Sequence, residues 1–126
     1  MRTLFSSGSA WEHKMGYSRA VQVGDSLYIS ATSAAAADGS VTGDLYEQTR
    51  FALEKLGAVL AEAGFGYEHV VQSKLYITNI ADWEQAGRAH GEVFGDIRPA
   101  LTLLHVLPFL DPAMLVEVEL VATKAE

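Results

Sequence analysis

The spacing of apolar residues constrains this fold most strongly, because it switches repeatedly between the period of a helix and that of a strand. Between residues 45 and 60 leucines recur at helical intervals, and Asp44 and Glu47 have the spacing of a capping box at the start of that stretch. Val70 to Thr78 instead alternates between apolar and polar residues, with Val71 on the apolar side. A helix followed by a half-buried strand is therefore predicted.

The second half of the chain repeats the pattern. Asp82 and Gln85 again have capping-box spacing, and they predict a second helix that runs to Phe94 and ends at a glycine. Two further strands are predicted at Ala100 to Leu107 and at Met114 to Thr123.

Near the N-terminus, alternating aliphatic residues flank Gly24-Asp25, which predicts a β-hairpin from about Ser18 to Thr32. The predicted order is β-β-α-β-α-β-β, an α+β domain that spans residues 1–126 and has both helices on one face of a single mixed sheet. The chain has no further segment to cover the other face. We therefore expect partner subunits to cover it.

Composition excludes several classes of function. The 126 residues include no cysteine, so disulfides, thiol nucleophiles and thiolate metal sites are excluded. The net charge of −7, with scattered lysines and arginines, argues against nucleic-acid binding. No stretch reads as a signal peptide or a membrane span, so a cytoplasmic protein is expected. One or two locally placed cations still permit a small anionic ligand.

Two residues on the closing strands are candidates for proton transfer. Glu117 alternates with the valines of its strand and is expected on the open face of the sheet, where a partly buried carboxylate can move protons. His105 lies on what we predict to be the neighbouring strand, in phase with Leu101. The alternatives are a solvent-facing strand for Glu117 and a hydrogen-bonded core or interface histidine for His105.

Near the first predicted strand, the guanidinium of Arg19 could bind a carboxylate with two hydrogen bonds. The hydroxyl of Tyr17 could cap the same site as a donor. An N-terminal arm that packs its aromatic residues on the domain explains the same residues equally well. Ser30 lacks the surroundings of a hydrolase nucleophile. The four histidines lack metal-ligand spacing, and His90 is expected on the surface of the second helix. No nucleotide-binding motif is present, so neither a metal nor another cofactor is expected.

Several short motifs, in a specific order along the chain, carry a resemblance to a known family. They are Gly16-Tyr17-Ser18-Arg19-Ala20-Val21, Leu27-Tyr28-Ile29-Ser30, Lys74-Leu75-Tyr76-Ile77-Thr78, Arg98-Pro99-Ala100 and Leu115-Val116-Glu117-Val118-Glu119. With these motifs the chain resembles the Rid (YjgF/YER057c) family, formerly called the L-PSP endoribonuclease family, over essentially its whole length.

The resemblance implies a chorismate-mutase-like fold and a homotrimer with clefts between subunits. It also implies cofactor-free hydrolysis of 2-imino and 2-aminoacrylate compounds, in which an Arg after Pro-Ala binds the substrate carboxylate and the residue matching Glu117 positions water. Here Leu101 stands in place of that Arg, and Ala31 replaces the Gly that usually follows Ser30. The chain is thus expected to belong to a divergent subgroup.

Two functions remain open from sequence. One is a cofactor-free deaminase or hydrolase of a small enamine, imine or related metabolite, with Arg19 as the replacement cation and with His105 and Glu117 sharing proton transfer. The other is a non-catalytic trimer that binds a small molecule or a protein. Ribonuclease activity fits the acidic charge balance least well.

Overall fold

Six strands form one mixed sheet, and two long helices cover one of its faces. The computed structural model describes all 126 residues. The strands are β1 (Arg2–Phe5), β2 (Ala20–Val23), β3 (Ser26–Ser33), β4 (Val70–Ile77), β5 (Ala100–His105) and β6 (Val116–Thr123), and the helices are α1 (Ala10–Met15), α2 (Leu45–Glu62) and α3 (Trp83–Phe94). The predicted α+β architecture is confirmed.

Two N-terminal elements were not predicted from the sequence. Strand β1 has four residues and pairs with β2 at the edge of the sheet, and helix α1 has only six residues. The side chain of Ser9 caps the start of α1, and Gly16 ends it in the left-handed conformation, with φ of 73°. Elements this short carry too few residues for a periodic pattern.

The order of strands in the sheet corrects one expectation. The order is β1-β2-β3-β6-β4-β5, and only β4 and β5 are parallel. The strand of His105, β5, therefore does not neighbour that of Glu117, since β6 lies between β3 and β4. Helix α3 links β4 to β5 as a crossover, which makes that pair parallel and leaves the other side of β4 free for β6.

The core lies between α2, α3 and one face of the sheet. The leucines that define the helical period of α2 are buried, and its Asp44–Glu47 capping box forms as predicted. On β6, Val116 and Val118 have no exposed surface, whereas the alternating residues are half-buried on the opposite face. That alternation confirms that Glu117 lies on the open face. None of the helices has the length and hydropathy of a membrane span.

Two local predictions were wrong. The side chain of Asp82 makes no capping hydrogen bond, and the Gln85 side-chain oxygen instead accepts from the Tyr46 backbone NH at 3.2 Å. Gln85 thus joins α3 to the start of α2. Val71 is 47% exposed because a register shift between Val70 and Gln72 in the pairing with β6 displaces it from the apolar side.

His90 also departs from expectation, because it is buried between α3 and the sheet and not on the surface. Its Nε2 lies 2.7 Å from the hydroxyl oxygen of Ser73, a residue of β4 with no exposed surface. The His90 ring also contacts that of Phe94, with centroids 4.7 Å apart. Hydrogen bonding to Ser73 compensates for burying the imidazole, and burial lowers the pKa of His90.

A pH dependence of stability follows from His90. The unfolded chain binds a proton at this residue near pH 6.5, whereas the folded chain resists protonation to a lower pH. The free energy of unfolding should therefore fall as the pH decreases below about 6.5. Urea unfolding between pH 8 and pH 5 should show a weaker acid dependence in His90→Gln than in the unmodified chain. Equal dependence in both would contradict this assignment.

Candidate functional site

Glu117 occupies the middle of the open sheet face. It lies opposite Ser33 of β3 and Tyr76 of β4 in the strand register. Its carboxylate has no hydrogen-bond partner within the subunit, and the two ion pairs of the subunit, Arg50–Glu92 and Lys74–Glu119, do not include it. Burial raises the pKa of Glu117, although the charges of Arg19 and Lys55 oppose that rise. Glu117 is therefore a half-buried carboxylic acid with no hydrogen-bond or ion-pair partner within the subunit.

A bulge in β3 places Arg19 beside this carboxylate. Between Ile29 and Thr32 the register with β6 shifts by one residue, so Ser30 and Ala31 together oppose one residue of β6. Arg19 donates from Nη1 to the Ala31 carbonyl at 2.9 Å and to the Thr32 hydroxyl at 2.9 Å. The guanidinium is thus held by neutral oxygens and keeps its charge available.

Lys55 supplies a second cation at the end of the same strand. It extends from α2, and its Nζ donates to the carbonyls of Ser33 at 3.0 Å and Ala35 at 2.8 Å. Burial lowers the pKa of Lys55, and the charge of Arg19 lowers it further, while Glu117 opposes this. Arg19, Lys55 and Glu117 together form a charged cluster, which we call the β3-end cluster.

Tyr17 and Ser30 border this cluster. The guanidinium carbon of Arg19 lies 5.7 Å from the centre of the Tyr17 ring. Tyr17 also lines a cavity of about 250 Å³ with Glu12 and Ser18. The Ser30 hydroxyl donates to the Ser18 carbonyl at 2.7 Å. Ser30 therefore fixes the chain before β2, whereas the Tyr17 hydroxyl has no hydrogen-bond partner within the subunit.

Glu12 is the other carboxylate near Arg19, but Ser7 engages it. Glu12 accepts from the Ser7 backbone NH at 3.0 Å and from the Ser7 hydroxyl at 2.5 Å. The Ser7 hydroxyl is the main cause of the lowered pKa of Glu12, to which Arg19 contributes least. Glu12 thus orders the N-terminal arm.

Leu101 and His105 lie on the opposite face of the sheet from Glu117. They pair with Ser73 and Ile77 of β4, which are buried on the helix side. Both Leu101 and His105 are exposed in the subunit. A single subunit thus brings Tyr17, Arg19, Ser30, Ala31 and Glu117 together but leaves Leu101 and His105 apart from them. A shared role of His105 and Glu117 stays a prediction for contacts between subunits.

Glu119 shares a face with Glu117 but has different partners. The Tyr76 hydroxyl donates to Glu119 at 2.7 Å, and Lys74 Nζ lies 3.9 Å from its other oxygen. The bond to Glu119 is the main reason that the pKa of Tyr76 rises to about 12. Both partners of Glu119 thus lie on β4, whereas Glu117 has no partner within the subunit.

The comparison with known families identifies the chain. The family model described as Endoribonuclease L-PSP matches residues 7–124. The chain belongs to the Rid (YjgF/L-PSP) family. Among members and relatives, the Streptomyces coelicolor protein SCO2049 is 40% identical over 117 residues, covering 92% of this chain and 87% of the relative. A RutC family protein of Pyrococcus abyssi is 30% identical over 110 residues, or 86% of each chain.

Solved structures of family members have the same fold as this chain. Rv2704 of Mycobacterium tuberculosis, described as a member of the YjgF/YER057c/UK114 family, superposes with a TM-score of 0.88 at 36% identity, covering 98% of this chain and 99% of that one. The crystal structure of Escherichia coli TdcF with bound serine gives a TM-score of 0.79 at 19% identity, covering 86% and 88%. At that identity the likeness concerns the fold.

Lys55 was not predicted from the sequence. It lies within α2 between Leu53 and Leu56, where the pattern indicates only a half-exposed helix position. Its hydrogen bonds reach back 20 and 22 residues to the end of β3, a contact that no local pattern indicates. No group of three or more acidic or histidine side chains that could hold a metal ion is found in the subunit.

Proposed function

We propose that this Rid-family protein is a cofactor-free hydrolase of a C–N bond in a small enamine- or imine-type metabolite. The observation that carries the proposal is Glu117, a half-buried carboxylate with a raised pKa and no partner, next to two cations. A structural glutamate in a sheet normally has a hydrogen bond or ion pair, as Glu119 does. A carboxylic acid that has a raised pKa and no hydrogen-bond or ion-pair partner is typical of a group that transfers protons.

In the proposed reaction, Glu117 accepts a proton from water while the oxygen bonds to the imine carbon. Glu117 returns that proton to the nitrogen, which gives a neutral carbinolamine. The C–N bond then breaks as the carbinolamine hydroxyl proton passes through Glu117 to the nitrogen, which leaves as ammonia. The product is a ketone or a 2-keto acid. An enamine enters the same path after its carbon is protonated. Tyr17 lies close enough to Arg19 to orient a polar group of the substrate.

A homotrimer completes the proposed site. On the open sheet face, Leu4, Val21, Tyr28 and Val121 lie directly opposite one another across β1, β2, β3 and β6. We call these four residues the apolar row. Leu4 is 61% exposed and Tyr28 52% exposed in the subunit, which favours a partner subunit over this face. The cavities of about 450 Å³ and 250 Å³ in the subunit are not lined by Glu117, as expected if a neighbour closes the cleft.

Substrate preference should reflect Leu101, if a neighbouring subunit contributes that residue to the cleft. A leucine offers an apolar contact where relatives have a cation, so imines with apolar side chains should react faster than 2-aminoacrylate. The test generates imines in situ, with an amino-acid oxidase acting on leucine or methionine and with a dehydratase acting on serine. Ammonia release should accelerate most for the apolar imines and weakly for the serine product. No acceleration with any of them would contradict the hydrolase proposal.

A non-catalytic binding protein is the second candidate. It is favoured by Leu101, since losing a charged contact to a carboxylate costs about 2–5 kcal/mol of binding. TdcF, which shares the fold, was solved with bound serine. This candidate predicts ligand-dependent stabilisation in a thermal-shift screen of small amino and keto acids, without turnover of any imine.

A further inference from the structure

We propose that Lys55 and Arg19 form the carboxylate-binding site of this protein, on the β3 side of Glu117. The inference deepens the proposed function, on which it rests, by naming the residues that bind a carboxylate close to the reacting carbon. The carboxylate contact is thereby assigned to the end of β3 and to α2, in place of the β5 position that Leu101 occupies.

The two cations are held by neutral oxygens. Both donate to oxygens of one short segment, from Ser30 to Ala35, and not to carboxylates. Neither takes part in an ion pair within the subunit, in contrast to Lys74 and Arg50. Backbone carbonyls fix the positions of the cations without neutralising them. Such fixed charges bind an anion without the entropy cost of ordering long side chains.

Two cations, Arg19 and Lys55, act on the single carboxylate of Glu117. One cation suffices to offset the carboxylate of Glu117 when it is ionised. The second cation leaves a surplus positive charge in a chain whose net charge is −7. The charge of Glu12 offsets that surplus only weakly, because Arg19 is the smallest of the causes that lower the pKa of Glu12. A bound carboxylate would complete the balance at the β3-end cluster.

Both cations retain N–H donors that make no hydrogen bond within the subunit. An ammonium group has three N–H donors, and Lys55 uses two on the carbonyls of Ser33 and Ala35. In Arg19 the hydrogen bonds all come from Nη1, so Nε and Nη2 remain for a ligand. The cluster therefore has free donors for a carboxylate.

The experiment measures binding separately from turnover. Pyruvate, a small 2-keto acid, and methyl pyruvate, its uncharged ester, are titrated calorimetrically into the unmodified chain and into Lys55→Met. We expect Lys55→Met to lose about tenfold or more in affinity for pyruvate and to bind the ester as before. Lys55→Arg, which keeps the charge, should retain most of the affinity. Lys74→Met removes a cation from the sheet face that carries Glu117 and should bind pyruvate normally.

The outcomes separate this inference from the proposed function. Equal pyruvate affinity in Lys55→Met and the unmodified chain would overturn the inference, whatever the imine assay shows. An unmodified chain that does not bind pyruvate would also overturn it, and ammonia release would then decide the hydrolase proposal by itself. Parallel losses for pyruvate and its ester would show a role of Lys55 in structure, and not in recognising charge. Light scattering and thermal unfolding of each variant establish that the fold and assembly are intact.

Discussion

Glu117→Gln is expected to reduce imine hydrolysis by about 100-fold or more, because glutamine cannot accept a proton from water. The same substitution should leave the protein equally stable or make it more stable. Burial raises the pKa of Glu117, which means that the folded state disfavours its ionised form. Its folded pKa lies above the unfolded value, so stability decreases as the pH rises through the folded pKa. The neutral glutamine removes that cost near pH 7.

Glu119→Gln is the matched control, two residues further along the same strand and on the same face. Glutamine can still accept the hydrogen bond from the Tyr76 hydroxyl and loses only a weak contact with Lys74. Its activity should therefore match that of the unmodified chain. Initial rates of ammonia release and thermal unfolding of both variants provide the comparison. If Glu117→Gln retains full activity, or loses stability instead of activity, Glu117 has a structural role.

Tyr28→Asp is expected to dissociate the trimer. Tyr28 lies in the centre of the apolar row, between Val21 and Val121, on the face assigned to partner subunits. Burying an unpaired carboxylate in such an interface costs several kcal/mol. Light scattering should give about three times 13.6 kDa for the unmodified chain and a mass near 13.6 kDa for the variant. Hydrolysis should be lost together with the trimer.

Ala58→Asp provides the control for the added charge. Ala58 is exposed on α2, on the side of the molecule away from the open sheet face. This variant should remain trimeric and active. An unmodified chain that is monomeric at micromolar concentration would contradict the trimer, and a trimeric Tyr28→Asp would place the interface elsewhere.

The fold could be predicted from sequence where a periodic pattern was long enough. The leucines of α2 and the valines of β6 each mark the buried face of their element. Their spacing therefore predicted the helix, the strand and the sheet face on which Glu117 lies. Strand order could not be predicted, because the position of β6 between β3 and β4 depends on connections that carry no pattern. For that reason His105 was expected on a strand beside that of Glu117, but β4 lies between the two strands.

The candidate site was predictable only in part. Motifs identified Tyr17, Arg19, Ser30 and Glu117, which the fold brings to one end of β3. Lys55 was missed because its role depends on a contact between α2 and a bulged strand. His90 was missed for a related reason: its helical position is compatible with an exposed residue, and only the opposing hydroxyl of Ser73 makes its burial favourable.

The central claim is that Glu117 lies in a cleft between subunits and acts there on a small carboxylate-bearing molecule. A crystal structure of the assembled protein grown with pyruvate tests this most directly. We expect a neighbouring subunit to enclose Glu117, with the carboxylate of pyruvate within hydrogen-bonding distance of Lys55 or Arg19. A Glu117 side chain that points into bulk solvent, more than a hydrogen-bond length from any enclosed space, would contradict the account.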